Sequence, residues 1–193
     1  MKKMYDPIQA FREMTFETPA PKQSAQARYR EFASKIETCS LLLREKLVEW
    51  NKTCEVISAE WAAACVIDQS LVNYLRSNRV VVHAAGNQAL AVVGDAQLSL
   101  HLAHSVFAGS DGGRATSAKE MQMLRSDCTS EVHLAAVYDA LFGEHEVIVR
   151  WTDVVPKATP RQKAQFMEAL VGMLHMAALP DQCKALCERI LFQ

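Results

Sequence analysis

The sequence predicts an all-α fold, and three observations lead there. Apolar residues recur at mixed three- and four-residue steps through most of the chain, the spacing that keeps them on one helical face. Proline pairs and glycine clusters fall between those segments and act as breaks. "RVVVHAA", Arg79 to Ala85, has strand-like β-branched content but is short, and no internal repeat or low-complexity tract appears. The 193 residues bound the chain to one domain with an extension, or two small domains. With 50% hydrophobic but only 7% aromatic residues, the core is expected to be aliphatic, with Ala and Met.

Residues 1–23 read as an N-terminal arm and linker, because Pro19 and Pro21 in "ETPAPKQ" cannot continue a helix. Residues 24–57 read as a helical extension. Tyr29, Phe32, Ile36, Leu41, Leu42, Leu47 and Trp50 mark one long amphipathic helix, with Cys39 as the place where it could break. Residues 58–193 form the main domain. It opens with "SAEWAAACVIDQSLVNYLRSN", where Ser58 suits an N-cap and Glu60 sits in the dipole-favoured first turn. Arg79 to Ala85 is either a short strand or a buried connector leading through Gly86.

Gln88 to Phe107 is apolar over much of its circumference, through Ala89, Val92, Val93, Ala96, Leu100 and Ala103, and predicts a buried helix. Gly109, Gly112 and Gly113 mark a loop. Two short helices follow, closing near Gly143 as a natural C-cap. "HEVIVRWTDVVPKATP" reads as irregular, broken by Pro156 and Pro160. "RQKAQFMEALVGMLHMAAL" predicts a buried helix, and "PDQCKALCERILFQ" an amphipathic one with Pro180 in its first turn.

The formal net charge of -1 gives no global sign of a nucleic-acid binder. Between Val81 and Arg150, four Lys or Arg face eight acids, a balance that repels phosphate. The cations that could touch RNA lie earlier: Lys22, Arg28, Arg30 and Lys35, with Glu and Asp interleaved. Six cysteines scattered through helical patterns are expected to be reduced, buried thiols of an intracellular protein. No apolar run approaches a membrane span, so no membrane is expected.

Three segments in order carry a resemblance to the ribonuclease III domain family, covering about Ser58 to Leu191. "NQALAVVGDAQL" resembles the family's signature helix, N-E-R-L-E-F-L-G-D-A-V-L. "LRSDCTSEVHLAAVYDALFG" resembles L-R-S-x-L-V-S-N-E-x-L-A with its following helix, and "AQFMEALVGMLHM" resembles D-x-x-E-A-L-I-G-A-I-Y-L. The resemblance implies a ribonuclease III endonuclease-domain fold preceded by the helical extension. It also implies two pairs of acids on two helices, spaced four and three apart so that each pair shares a face. Such carboxylates hold Mg²⁺ for phosphodiester hydrolysis.

Position by position, the likeness is incomplete. The signature Glu falls on Ala91 and the Asp on Asp95; the late Asp falls on Gln165 and the late Glu on Glu168. Half of the tetrad is replaced, so no catalytic residue is expected. Asp95 and Glu168 hold Mg²⁺ weakly at most, or persist as structural groups that cap backbone or pair with Arg125. Family domains pair through their signature helices, which implies that Val92, Val93 and Leu100 meet another ribonuclease III-like chain. Val92 stands where the family carries an aromatic plug, a departure that favours a heterodimer or altered interface over a symmetric homodimer.

What the resemblance implies for function is a catalytically inactive, structural and RNA-associated subunit of a mitochondrial ribonucleoprotein, the large ribosomal subunit or its assembly machinery. Its partners would be ribosomal or double-stranded RNA and other ribonucleoprotein subunits. Two alternatives stand beside it: a subunit, active or non-catalytic, of a Mg²⁺-dependent double-stranded-RNA processing dimer, and a protein-only dimerisation module. No double-stranded-RNA-binding domain is expected after the ribonuclease III-like segment. His101 with His104, and Cys183 with Cys187, have spacings compatible with zinc, though nothing in the sequence requires the pairs to meet. His175 is expected to be a core histidine.

Overall fold

The computed structural model describes residues 23–78, 86–109, 117–151 and 157–192, with side chains from residue 29 onward and not for 108 and 109. Lys22, the strand-or-connector segment 79–85 and the glycine loop beyond Gly109 lie outside the described residues. Among the described residues there are eight α-helices and one 3₁₀ segment. No described helix is long and apolar enough to cross a membrane. The chain divides into two compact units, 1–89 with 145–158, and 90–144 with 159–193.

In the first unit, α1 (Gln23–Trp50) runs unbroken past Cys39. Its buried face is Tyr29, Phe32, Ala33, Ile36, Cys39, Leu43 and Leu47, a three-four stripe in which Leu43 replaces the expected Leu41, itself 52% exposed. The Ser40 hydroxyl, buried on this face, donates to the Ile36 carbonyl at 2.6 Å. Asn51 caps the 3₁₀ segment Lys52–Val56. Ser58 caps α2 (Ala59–Val66) by accepting from the Trp61 N–H.

The stretch after Ser58 forms two helices. Asp68 caps α3 (Gln69–Ser77) with its side chain, accepting from the Ser70 N–H at 2.9 Å. Its own backbone N–H donates to the Val149 carbonyl at 3.0 Å, and the Val149 N–H donates to the Val66 carbonyl at 2.8 Å. These bonds make an isolated parallel bridge between Ile67 and Val149. The "irregular" segment is therefore extended and buried at Val147, Ile148 and Val149, which explains its β-branched content. Trp151 stacks on Tyr74, and the buried Arg150 meets Glu146 at 3.6 Å.

The second unit holds most of α4 (Gln88–Gly109), then α5 (Ala118–Cys128), α6 (Glu131–Phe142), α7 (Pro160–Met176) and α8 (Pro180–Phe192). α7 starts from a capping box between Thr159 and Gln162 with Pro160 in its first turn. It is the central helix, buried from Phe166 to Leu174 apart from Glu168. Each fully buried large aliphatic there contributes about 1.5–3 kcal/mol. Phe166 meets Tyr138 and Phe142 edge-on at 5.5 Å, locking α6 to α7. α6 closes at Gly143, the expected C-cap.

α4 departs from the expected all-round burial. Leu90, Ala91, Leu98 and Leu102 are buried, but Val92 is 68% exposed, Leu100 61% and Phe107 61%. Five of the six cysteines are buried and all are free; Cys128 is only partly buried. His175 is exposed, so it is not the core histidine that its apolar neighbours suggested.

Candidate functional site

Two glycines set the geometry of the candidate site. A Cβ at Gly94 would stand 1.8 Å from the Glu168 carbonyl oxygen, and one at Gly172 would stand 2.0 Å from the Leu90 carbonyl oxygen. The backbones of α4 and α7 thus cross in direct contact, which any side chain at either position would prevent. Asp95 follows Gly94, and Glu168 lies one turn before Gly172, so the crossing carries both acids to one place.

Their electrostatics register that proximity. Burial first, then the Asp95 and Glu131 charges, push the Glu168 carboxyl up to about 7. Glu131, in the first turn of α6, was not among the sequence candidates. Its only signal was its place behind the N-cap Ser130, which also suits a plain dipole-favoured residue. Asp95 receives the Arg125 guanidinium, whose Nη2 lies 3.0 Å from Oδ2 and 3.3 Å from Oδ1. Arg125 stands in the last turn of α5, whose start is fixed by a capping box between Ser117 and Glu120.

The other two positions bring no charge. Ala91 is 4% exposed, so a methyl group fills its place on the buried side of α4. Gln165 is half-buried and carries a neutral amide. Two carboxylates, one of them held by a guanidinium, offer fewer oxygen donors than a pair of divalent ions takes. Hydrolysis by two metal ions needs several converging ionised carboxylates, and Ala91 and Gln165 supply none.

The remaining sequence candidates fall elsewhere. Arg30 and Lys35 are exposed on α1, in the first unit, whereas the acids belong to the second. Nothing is described for the Arg28 side chain. Val92 and Leu100 are exposed on α4 and Val93 is half-buried; with Ala96 and Phe107, the exposed residues follow one helical stripe. The zinc-compatible residues do meet in part: the ligand atoms of His101, Cys183 and Cys187 lie within 4.8 Å of one another. His104 is exposed and outside that group. No family model, curated protein or solved structure matches the chain.

Proposed function

We propose that the chain is a catalytically degenerate ribonuclease III-like domain, a structural and RNA-associated subunit of a mitochondrial ribonucleoprotein, the large ribosomal subunit or its assembly machinery. The observation that carries the degenerate-nuclease part is the glycine-to-glycine crossing of α4 and α7. It unites Asp95 with Glu168, the two acids that the family pattern retains, while Ala91 and Gln165 stand at the other two positions. A contact this close is dictated by backbone, so it persists after the chemistry it once served is gone. The ribonucleoprotein and its mitochondrial location rest on the resemblance in sequence.

The exposed stripe of Val92, Ala96, Leu100 and Phe107 favours a second reading. A helix that is apolar toward solvent suits a partner helix. The chain would then be the silent half of a double-stranded-RNA processing dimer whose other member supplies four intact acids.

One measurement separates these readings: the native size of the particle holding this protein in its source cells, before and after RNase treatment. A ribosome-sized, RNase-sensitive particle supports the structural subunit. A small RNase-resistant particle with a second ribonuclease III-like chain supports the silent half. The pure protein is expected to leave double-stranded RNA intact in Mg²⁺; cutting that Asp95→Asn abolishes would overturn both.

A further inference from the structure

We propose that His101, Cys183 and Cys187 form a zinc site that ties α4 to α8. The inference is independent of the nuclease likeness, since none of these residues belongs to the four acid positions. Cys183 and Cys187 are four apart on α8, which puts both thiols on one face, and His101 reaches them from α4. All three ligand atoms lie within 4.8 Å of one another.

A tetrahedral zinc ion with Zn–S near 2.3 Å and Zn–N near 2.0–2.1 Å brings its donors to about 3.5–3.8 Å apart. Binding thus requires side-chain rotations that close a gap of about 1 Å. Two thiolates and an imidazole select zinc over Mg²⁺ or Ca²⁺, which take oxygen donors. Binding releases the two thiol protons to solvent, so the bound ion and its thiolates are together neutral. Both sulfurs are buried and His101 is half-buried, so the ion would sit at the edge of the core with water completing its fourth position.

The competing arrangement, a disulfide, is disfavoured on an intact helix. Residues four apart hold their Cβ atoms about 5–6 Å apart, whereas a disulfide needs about 3.5–4.5 Å. In the metal-free chain Cys183 Sγ donates to the Val171 carbonyl at 3.7 Å, a bond that is given up when the thiolate takes the ion. The metal would instead pin together residues about eighty positions apart in sequence, closing a long loop.

The test uses the reduced full chain. After dialysis against zinc-free buffer, added zinc should bind at about one equivalent per chain and raise the melting temperature. Cobalt substitution should give a thiolate-to-metal charge-transfer band and the strong visible bands of a tetrahedral ion. Cys183→Ala and Cys187→Ala should each weaken binding at least about 100-fold, and His101→Gln at least about 10-fold. Cys54→Ala, which removes a different buried thiol, should leave it unchanged. His101→Gln alters a half-buried position, so its spectrum stays informative even where a cysteine variant fails to fold. Absence of the charge-transfer band in the wild-type chain overturns the proposal. So does unchanged cobalt binding in His101→Gln or in both cysteine variants.

Discussion

Arg125 Nη2 lies 3.0 Å from Asp95 Oδ2, so a guanidinium stands against the carboxylate that would face a divalent ion in a working nuclease. The side chains are 51% and 40% exposed, and solvent screens the pair. Arg125→Ala is therefore expected to cost less than about 1 kcal/mol in urea unfolding. Its electrostatic effect should be plainer. With Asp95 uncompensated, the Glu168 carboxyl should titrate still higher when followed by NMR, and a lower midpoint would contradict the arrangement.

Glu168 makes stability depend on pH in a definite direction. Its carboxyl titrates at about 7 in the folded chain, against 4.5 for the free group. Between those values the folded state holds more protons than the unfolded state, so stability falls as pH rises through this window. Above it the full penalty applies, about 1–2 kcal/mol once partial solvation is allowed for. Glu168→Gln should be more stable than wild type at pH 8 by that amount and indistinguishable at pH 4, as read by urea unfolding at both.

These groups also mark how far sequence alone could reach. Helix positions were legible because caps and breaks are local: Ser58, Gly143 and Pro180 act where the sequence puts them. The break at Asp68 carried a local signal, an N-cap carboxylate two residues before Ser70, whereas its bridge to Val149, some eighty residues away, was not legible. Burial on α4 was misread for a related reason. An all-apolar helix carries no polar face to show which side meets the core, and the Gly94–Gly172 crossing turns Leu90 toward α7 while Val92 and Leu100 stay exposed. The pairing of Asp95 with Arg125 was anticipated, whereas the meeting of His101 with the two cysteines is a tertiary matter that spacing cannot supply.

The crossing itself is testable. Gly94→Ala and Gly172→Ala each force a methyl group onto a backbone carbonyl, which cannot swing aside as a side chain can. Each should cost at least about 3 kcal/mol. Both act on one contact, so the double variant should lose less than the sum. Additive losses in a double-mutant cycle would mean that the two glycines do not share a crossing.

The stripe on α4 predicts association rather than stability. Val92→Glu with Leu100→Glu changes two largely exposed positions, so the melting transition should shift by no more than about 0.5 kcal/mol for each. Sedimentation should nevertheless convert a self-associated or partner-bound form to the single chain. An assembly unaffected by both charges would place the interface elsewhere.

If the proposed likeness holds, acids at positions 91 and 165 should create metal binding at a cost in stability. Ala91 is 4% exposed, so Ala91→Glu places a carboxylate in a buried position beside Asp95, while Gln165→Asp adds a second near Glu168. Without a cation, the double variant should lose about 2 kcal/mol or more from desolvation and like-charge repulsion. Mg²⁺ removes both penalties only if the carboxylates converge, so it should raise the melting temperature of the variant and leave wild type unmoved. Adding Arg125→Ala should enlarge the response, because the guanidinium competes for Asp95. Adding Asp95→Asn should abolish it. A variant stabilised equally by Mg²⁺ with and without Asp95 would mean that α4 and α7 do not hold their acids around a common point.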